Sequence, residues 1–354
     1  MLFLTLAVGL AGGWLGKTLR MPAGSFMGAL AAVGALQIIT GEAYFPEALR
    51  QTVQFCSGAL IGCRITRKDL KEFRIIIVPT LLLILGMLVL NLAMGFAIHA
   101  FTDMDIVTAL FSCTPGGMSD MALIAEALGA VTVVVAIMQL VRVIAVFLIM
   151  PPFLQWYSKK HPQPRRMDPA AQALASDTAS PSAKATFFSG RMGDFALTML
   201  VAAVGGLLCN YISIPAGALV GGMLAASALG VWKEKAFVPN KLRPTIQALA
   251  GAYVGLKLDS NSLQLLSTLI LPAVIMTIML IGFAFLIAYV MHKVTHMEFG
   301  ACLLASCPAG VQEMALLSEE LGYDTPKIAV MHTFRLFLVI LTFPMLLSFI
   351  TSLL

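Results

Sequence analysis

The chain has 354 residues, of which 59% are hydrophobic and only 12% are charged, and its formal net charge is +5. Soluble domains carry about 25% charged residues, so this composition excludes a soluble globular protein and indicates a polytopic, mostly helical protein of the lipid bilayer. The six cysteines lie in or beside apolar segments and form no CxxC pair, so we expect neither disulfides nor a zinc site.

Two sets of five apolar segments, each near the length of a membrane span, follow in chain order. They lie near residues 2–19, 22–40, 49–65, 74–101 and 131–157 in the first half, and near 194–212, 215–233, 244–258, 267–291 and 327–354 in the second. The first segment has no basic n-region and no cleavage site, so we expect it to be retained as a span.

The stretch between the two sets is rich in Pro, Ser, Ala and basic residues, which predicts a flexible linker without a core. The predicted organisation is therefore a membrane repeat over residues 1–157, a linker over 158–191 and a second membrane repeat over 192–354.

The two repeats match at a constant offset of 193 residues, most closely where SCTPGGMSDMALIAEALGA (112–130) meets ASCPAGVQEMALLSEELGY (305–323). Each copy is typical of a helix that is broken by Pro and small residues, restarts, and ends at a glycine. In a bilayer, unwound backbone is tolerated only where protein buries it or water reaches it, so each motif predicts a cavity. Small-xxx-small patterns, which predict close helix packing, recur at equivalent positions in both repeats. Their residues are Gly58 and Gly62, and Gly251 and Gly255.

Loop charges predict the orientation of the segments, because cytoplasmic loops collect Lys and Arg. Basic residues follow the first and third segments, acidic residues follow the second and fourth, and the linker is again basic. The segment 131–157 then supplies the one crossing between the fourth segment and the linker, so the motif itself is re-entrant or a broken pair of half-spans. The predicted fold is an all-α membrane protein with two inverted repeats of about five transmembrane helices. In the alternative, the motif spans, which gives six helices per half, a parallel repeat and an external linker.

Inverted repeats whose broken helices meet near the midplane form a transporter architecture, so we expect the two motifs to build one small polar pocket. The candidate residues for binding a substrate or ion are Ser112, Thr114, Pro115, Gly116, Gly117, Ser119 and Asp120 in the first copy, and Ser306, Pro308, Gly310, Gln312 and Glu313 in the second. Free N–H groups after each break favour an anion, whereas Asp120 and Glu313 favour a cation or a proton. Such a pocket suits an amino acid, a carboxylate or a coupled ion. The structural alternatives are that the breaks are packing kinks and that the two carboxylates only satisfy helix N-termini.

Three more repeat-related pairs are candidates for the same site. They are Arg142 and Arg335, Gln54 and Gln247, and Glu126 and Glu319. The arginines lie deep in apolar segments, where an unpaired charge costs roughly 2.5–3.5 kcal/mol, so we expect each to pair with a motif carboxylate or to bind the solute. The glutamines either line the cavity or hydrogen-bond between helices. The glutamates have a simpler structural explanation as the aqueous end of the second half-helix.

Several functional classes find no support in the residues. The sequence contains no P-loop, GxSxG, HExxH or Cys/His cluster, so we expect no enzymatic activity, no metal and no other cofactor. The basic residues are confined to a few loops, which suits membrane topology better than nucleic-acid binding.

The doubled PxG…E/D-M-A-L…E-x-L-G motif, the arginine that follows each copy and the doubled P-A-G-x-x-x-G helix start resemble the AbrB-duplication family of bacterial membrane proteins. The resemblance covers nearly the whole chain outside the linker. Members of that family are labelled as ammonia monooxygenases, as regulators of gene expression or as transporters. The resemblance also suggests a distant similarity to elevator-type carriers, which are often homodimers.

The function expected from these observations is secondary transport or export of a small polar solute across a bacterial inner membrane, by alternating access around the two motifs. Coupling to H⁺ or Na⁺ is compatible with the carboxylates, and the linker is expected in the cytoplasm. The alternative is a membrane-embedded regulatory or sensor protein that affects gene expression without transport.

Overall fold

The computed structural model describes residues 1–19, 23–160, 192–258 and 260–353, leaving aside the side chains at positions 74–75, 159, 240, 260–268, 312–313, 315–316, 320 and 351–353. All regular structure in these ranges is helical, which confirms the all-α class. The linker predicted over residues 158–191 falls outside the described residues from residue 161 onward.

The helices follow the two predicted halves. The first half contains α1 (Leu2–Thr18), α2 (Gly24–Thr40), α3 (Glu47–Gly62), α4 (Arg67–Ile75), α5 (Ile77–Phe101), α6 (Ile106–Cys113), α7 (Met118–Ala127) and α8 (Thr132–Lys160). The second contains α9 (Met192–Tyr211), α10 (Gly217–Lys233), α11 (Arg243–Gly255), α12 (Ser260–Thr295), α13 (Phe299–Ser306), α14 (Val311–Glu320) and α15 (Thr325–Leu353). Apart from α4, each described helix of the first half has its counterpart in the second.

Helix α4 is not predicted by the sequence analysis and lies in the basic loop between the third and fourth segments. It is amphipathic, and it begins with a capping box in which the Thr66 hydroxyl accepts from the Asp69 backbone N–H and the Asp69 carboxylate accepts from Thr66. Such reciprocal capping fixes the start of a short polar helix. The corresponding stretch of the second half is the continuous first part of α12.

Five described helices are long and apolar enough to cross a membrane. They comprise Ile77–Phe101, Thr132–Ser158, Met192–Tyr211, Leu269–Thr295 and Thr325–Ile350. Helices α1, α2 and α10 are apolar but have 17 residues each, about 25 Å of helix against a hydrocarbon core of roughly 30 Å. Helices α3 and α11 are shorter still. The five long helices indicate a membrane protein, and the count of ten crossings stays a prediction.

The helices pack as two bundles, and each bundle takes half of its helices from each half of the chain. Helices α1, α2 and α3 pack with α9, α10 and α11 in a six-helix bundle. Helices α5 to α8 pack with α12 to α15 in an eight-helix bundle. Contacts between the two bundles are made mainly by α7 and α8 against α3 and α11, and by α4.

Glycines allow the six-helix bundle to interlock. A Cβ atom on Gly58 of α3 would lie 2.2 Å from the Leu219 carbonyl oxygen of α10, and one on Gly251 of α11 would lie 2.1 Å from the Phe26 carbonyl oxygen of α2. These two contacts are related by the offset of 193, and Gly62 and Gly255 repeat the pattern one turn later. The predicted close packing is therefore confirmed, and it joins one half of the chain to the other.

Candidate functional site

Each Pro-Gly motif forms a gap between two short helices of the eight-helix bundle. Helix α6 ends at Cys113 and α7 begins at Met118, while α13 ends at Ser306 and α14 begins at Val311. The four intervening residues fall at equivalent positions in the two halves. The proline in each gap has no N–H to continue the preceding helix, which explains why both helices stop there.

Arg142 of α8 holds the first gap through backbone carbonyls. Its guanidinium donates to the carbonyl of Thr114 at 2.9 Å, to the carbonyl of Gly116 at 3.3 Å and to the Gln139 amide oxygen at 2.7 Å. Gln139 in turn donates to the carbonyls of Phe111 and Thr114 at 3.1 and 3.0 Å. The planar, five-donor guanidinium suits several acceptors at once.

Arg335 of α15 repeats this arrangement in the second gap. It donates to the carbonyls of Cys307 at 2.7 Å and Ala309 at 3.0 Å, which are the counterparts of the Arg142 acceptors. His332 stands where the first half has Gln139, and its Nε2 lies 2.8 Å from the carbonyl of Leu304. The same set of carbonyls is thus satisfied in both copies.

The sequence predicts that each buried arginine pairs with a motif carboxylate or binds the solute. Among the described residues, the acceptors of Arg142 and Arg335 are backbone carbonyls of the gaps and, for Arg142, also the amide oxygen of Gln139. Asp120 is therefore not a hydrogen-bond partner of Arg142, and the side chain of Glu313 lies outside the described residues. A cation is also favoured at the C-terminal ends of α6 and α13, where the carbonyl dipoles are directed. These hydrogen bonds stabilise the unwound backbone of both gaps within the protein.

A cavity of about 840 Å³ lies between the two bundles, next to both gaps. The predicted site residues that line it are Gly116, Gly117, Ser119, Asp120, Arg142, Gln247, Pro308, Gly310 and Arg335. The volume falls in the range of small-molecule sites, roughly 300–1,000 Å³. Both gaps and both arginines are therefore brought to one cavity, as the duplicated motif predicts.

Other predicted residues lie elsewhere. The hydroxyls of Ser112 and Thr114 donate to carbonyls one turn earlier in their own helix, at 2.7 and 2.8 Å, and that of Ser306 donates to Ala284 of α12 at 2.8 Å. Buried hydroxyls commonly donate to nearby carbonyls in this way, and none of these three residues lines the cavity. Pro115 is buried within the gap without lining the cavity. The side chains of Gln312 and Glu313 lie outside the described residues.

The remaining predicted polar residues divide between helix contacts and the surface. Gln54 is buried and its amide lies 3.5 Å from the carbonyl of Leu123 on α7, so it connects the two bundles instead of lining the cavity. Glu319 is exposed. Glu126 is mostly buried, with 13% of its side chain exposed, and lies away from the cavity.

Glu126 is the centre of an ion-pair cluster with Arg50, Tyr253 and Lys257, which we call the Glu126 cluster. Its carboxylate lies 2.5 Å from an Arg50 nitrogen, accepts from the Tyr253 hydroxyl at 2.5 Å and lies 3.7 Å from the Lys257 ammonium. Arg50 also pairs with the exposed Glu47. The cluster joins α7 of the eight-helix bundle to α3 and α11 of the six-helix bundle.

The cavity and the Glu126 cluster lie at opposite ends of the same three helices. Residues 57–64 at the end of α3, 117–120 at the start of α7 and 243–247 at the start of α11 line the cavity. The cluster takes Arg50 from the start of α3, Glu126 from the end of α7, Tyr253 from the last turn of α11 and Lys257 from just beyond it. Equivalent helices α3 and α11 therefore run in opposite directions between the two sites.

Several basic and polar residues of the cavity are missed by the sequence analysis. They are Lys17, Ser25, Ser57, Arg64 and Arg243. The offset contains a usable signal, because it pairs Arg50 with Arg243 and Arg64 with Lys257. Both members of each pair are basic. In each pair, one residue lines the cavity and the other belongs to the Glu126 cluster.

Comparison with known proteins shows the family of this chain. The model of the family described as transition state regulatory protein AbrB matches residues 1–158 and 164–351. The chain belongs to the AbrB family. The resemblance inferred from the doubled motif is therefore confirmed, and both gaps of this AbrB-family protein lie within the matched ranges.

Two relatives of this AbrB-family protein come from well-studied bacteria. A protein of Escherichia coli (strain K12) named "Putative regulator AbrB" is 23% identical over 344 residues, covering 94% of this chain and 91% of the relative. A protein of Bacillus subtilis (strain 168) named "Uncharacterized protein YhjN" is 27% identical over 271 residues, covering 74% of this chain and 68% of the relative. No solved structure gives a significant match.

Proposed function

We propose that this AbrB-family protein is a secondary transporter or exporter of a small polar solute in a bacterial inner membrane, working by alternating access around the two helix gaps. The observation that carries the proposal is the placement of the cavity and the Glu126 cluster at opposite ends of α3, α7 and α11. In alternating access, a solute site that is open to one side of the membrane is closed on the other side. Ion pairs between the two bundles provide such a closure, because they can break and let the bundles separate.

The antiparallel course of α3 and α11 supports inverted repeats. Arg50 and Arg243 are equivalent under the offset of 193, yet one lies in the Glu126 cluster and the other lines the cavity. In the arrangement that the loop charges predict, Lys17, Arg64 and Arg243 lie on the cytoplasmic side. The cavity then faces the cytoplasm, the Glu126 cluster closes the periplasmic side, and the linker is cytoplasmic.

The repeat also specifies the opposite state. The counterparts of Glu126, Arg50 and Lys257 are Glu319, Arg243 and Arg64. Glu319 is exposed and the two arginines line the cavity. When the eight-helix bundle moves relative to the six-helix bundle, Glu319 approaches Arg243 and Arg64 and closes the cytoplasmic side, while Glu126 leaves Arg50. Asp120, at the first gap, is the proposed site for coupling to H⁺ or Na⁺.

Cross-linking of repeat-related cysteine pairs with a short bifunctional maleimide tests alternating access without knowledge of the solute, since the reagent replaces the reach of the two long side chains that a direct disulfide would lack. In a background without the six native cysteines, one variant carries Glu126→Cys with Arg50→Cys and the matched variant carries Glu319→Cys with Arg243→Cys. Alternating access predicts that both pairs cross-link, each in its own protein. A rigid protein cross-links only the first pair, and that result would refute the proposal.

The name of the Escherichia coli relative favours one second candidate, a membrane-embedded regulator that senses a ligand in the same cavity. Transport predicts that Asp120→Asn abolishes solute flux in proteoliposomes while the purified protein stays folded. A sensor instead binds its ligand without turnover, in the wild type as in the variant.

A further inference from the structure

We propose that helix α4 is a docking site for the headgroups of anionic phospholipids at the membrane surface. Among the described helices of the first half, α4 is the one without a counterpart in the second half, and it belongs neither to the cavity nor to the Glu126 cluster. Lipid binding is measured without a solute, so the inference does not depend on transport.

The position of α4 places it at the boundary between lipid tails and headgroups. Only Ile76 separates its last residue from the first residue of α5, which is long and apolar enough to cross a membrane. Helix α5 has 25 residues, about 37 Å of helix against a hydrocarbon core of roughly 30 Å, so its ends reach the headgroup region. At its start, Ile77 and Val78 are 39% and 54% exposed, as expected of side chains that contact lipid.

Helix α4 carries three basic residues on one side, Arg67, Lys68 and Lys71, which we call the basic stripe. Arg67 and Lys71 are four residues apart and Lys68 and Lys71 are three apart, so the three are neighbours on the helix surface. Each of them is exposed. The stripe therefore presents three cationic donors at the surface of α4.

Described side chains do not neutralise the basic stripe. Arg67 and Lys71 form no ion pair or hydrogen bond with another described side chain. Lys68 lies 3.9 Å from Glu72, but its side chain is 63% exposed, and a surface ion pair of this kind contributes little. The three cations are therefore available to an external anion.

The other carboxylates near the stripe are engaged or set apart. Asp69 lies 2.8 Å from the Thr66 backbone N–H and 2.6 Å from the Thr66 hydroxyl, both of which donate to it in the helix cap. Glu234 shares a small cavity of about 220 Å³ with Arg67 and Lys68, and forms no ion pair with either. Neither carboxylate therefore occupies the exposed side of the stripe.

Leu70 favours a lipid over a dissolved anion. It is 45% exposed and lies three residues after Arg67 and three before Phe73, so it adjoins the basic stripe. Amphipathic helices at a membrane surface direct apolar residues to the acyl chains and Lys and Arg to the headgroups. Phosphate oxygens accept charge-assisted hydrogen bonds from Lys and Arg. A phospholipid supplies both kinds of contact, whereas a dissolved phosphate leaves Leu70 in water.

Helix α4 also contacts both bundles, which gives a bound lipid a route to the rest of the protein. It packs against α10 of the six-helix bundle and against α5 and α15 of the eight-helix bundle. The rings of Phe73 and Phe334 stack with their centroids 3.9 Å apart. Phe334 directly precedes Arg335, which donates to the carbonyls of the second gap. A headgroup on α4 is thus bound where the two bundles meet.

Docking is tested on the full-length protein with a single fluorophore on α4. Leu70→Cys, in a background without native cysteines, is labelled with a polarity-sensitive dye and placed in nanodiscs. The nanodiscs contain either phosphatidylcholine alone or an equal mixture with phosphatidylglycerol. We expect the anionic lipid to move the emission to shorter wavelength and to reduce quenching by acrylamide, which is uncharged and does not respond to the surface potential.

The size of the response follows from the charge of the stripe. Each basic residue near an anionic surface strengthens binding about fivefold, so the whole stripe contributes about a hundredfold. Added salt should reduce the response, because it screens exposed charges.

Variants locate the site on α4. Joint replacement of Arg67, Lys68 and Lys71 by Gln should abolish the difference between the two kinds of nanodisc, whereas Arg67→Lys should keep it. Arg67→Gln alone should weaken the lipid dependence about fivefold, which tests the site if the triple variant is misfolded. The matched control removes the same charge at three exposed lysines elsewhere, namely Lys233→Gln, Lys235→Gln and Lys241→Gln, and should keep the wild-type response.

Three outcomes would overturn the proposal. Equal emission and quenching in both kinds of nanodisc would mean that anionic lipid does not bind α4, or that another part of the protein covers it. An equal shift on adding glycerol phosphate to neutral nanodiscs would show a site for dissolved anions. A response that survives in the folded triple variant would place the lipid elsewhere. None of these outcomes bears on solute flux, so the lipid site and the proposed function fail independently.

Discussion

Glu126→Gln is expected to shift the protein away from the state in which the cavity is open at Arg64 and Arg243. The substitution keeps the size of the side chain but removes the charge that faces Arg50 and Tyr253, each at 2.5 Å. Charge-assisted hydrogen bonds contribute about 1.5–3 kcal/mol and neutral ones about 0.5–1.5 kcal/mol. Because an amide preserves part of each contact, and because Lys257 is half-exposed and contributes little, the net loss is about 2 kcal/mol, a ~30-fold change in the equilibrium.

The shift is measured by labelling a single cysteine in the cavity. Ser57→Cys, in a background without native cysteines, is labelled with a membrane-impermeant maleimide in inside-out and right-side-out vesicles. Glu126→Gln should slow labelling in inside-out vesicles and accelerate it in right-side-out ones. Glu47→Gln is the matched control, since Glu47 also pairs with Arg50 but its side chain is 61% exposed. Equal labelling of the Glu126 and Glu47 variants from both sides would refute the reasoning.

Three further predictions concern the breaks, the packing and the topology. Arg142→Lys should strongly lower the melting temperature of the purified protein, because a single ammonium cannot reach all the carbonyls that the guanidinium now satisfies. Each carbonyl left without a donor costs about 1–3 kcal/mol. The control Arg67→Lys, at the surface, should leave the melting temperature unchanged. Gly58→Ala should destabilise the six-helix bundle, because its Cβ would collide with a backbone oxygen of α10. The control is Gly282→Ala, where a Cβ meets nothing within 4 Å, and it should be neutral or stabilising by up to about 1 kcal/mol. Unfolding curves of both variants measure the difference, and equal losses of stability would contradict the prediction. A reporter enzyme fused near residue 176 should be active only in its cytoplasmic form, and an external position would remove the inverted arrangement.

Hydropathy was sufficient to predict the all-α class and the long apolar helices, since both depend on local sequence, whereas the polar helix α4 was not predicted. Runs of apolar residues set the long helices, and Pro115 and Pro308 set the ends of α6 and α13. The offset of 193 also predicts that residues at equivalent positions of the two halves make the same type of contact. The hydrogen bonds of Arg142 and Arg335 to carbonyls of the gaps are the clearest example.

The partners of charged residues could not be predicted in the same way, because they depend on how helices from different halves meet. Composition alone suggests that a buried arginine pairs with a carboxylate. However, backbone carbonyls that a helix break leaves without intrahelical partners can serve equally well as its hydrogen-bond acceptors. Arg50 and Glu126 are 76 residues apart in the chain, and only the packing of α7 against α3 brings them together. For the same reason Arg64 and Arg243 had no sequence signal beyond the repeat.

The interwoven bundles have a consequence for how the chain is made. Helices α1 to α3 pack against α9 to α11, but they are synthesised long before them. The glycine-containing faces of the first half are therefore unpaired in the membrane until the second half is inserted. In the proposed inverted arrangement, a half-length protein would build the same bundles only by inserting in both orientations and pairing with its own copy. Joining two copies in one chain would fix the ratio of the two orientations at one to one. The two halves, expressed as separate chains divided in the stretch 161–191, should accordingly assemble with each other.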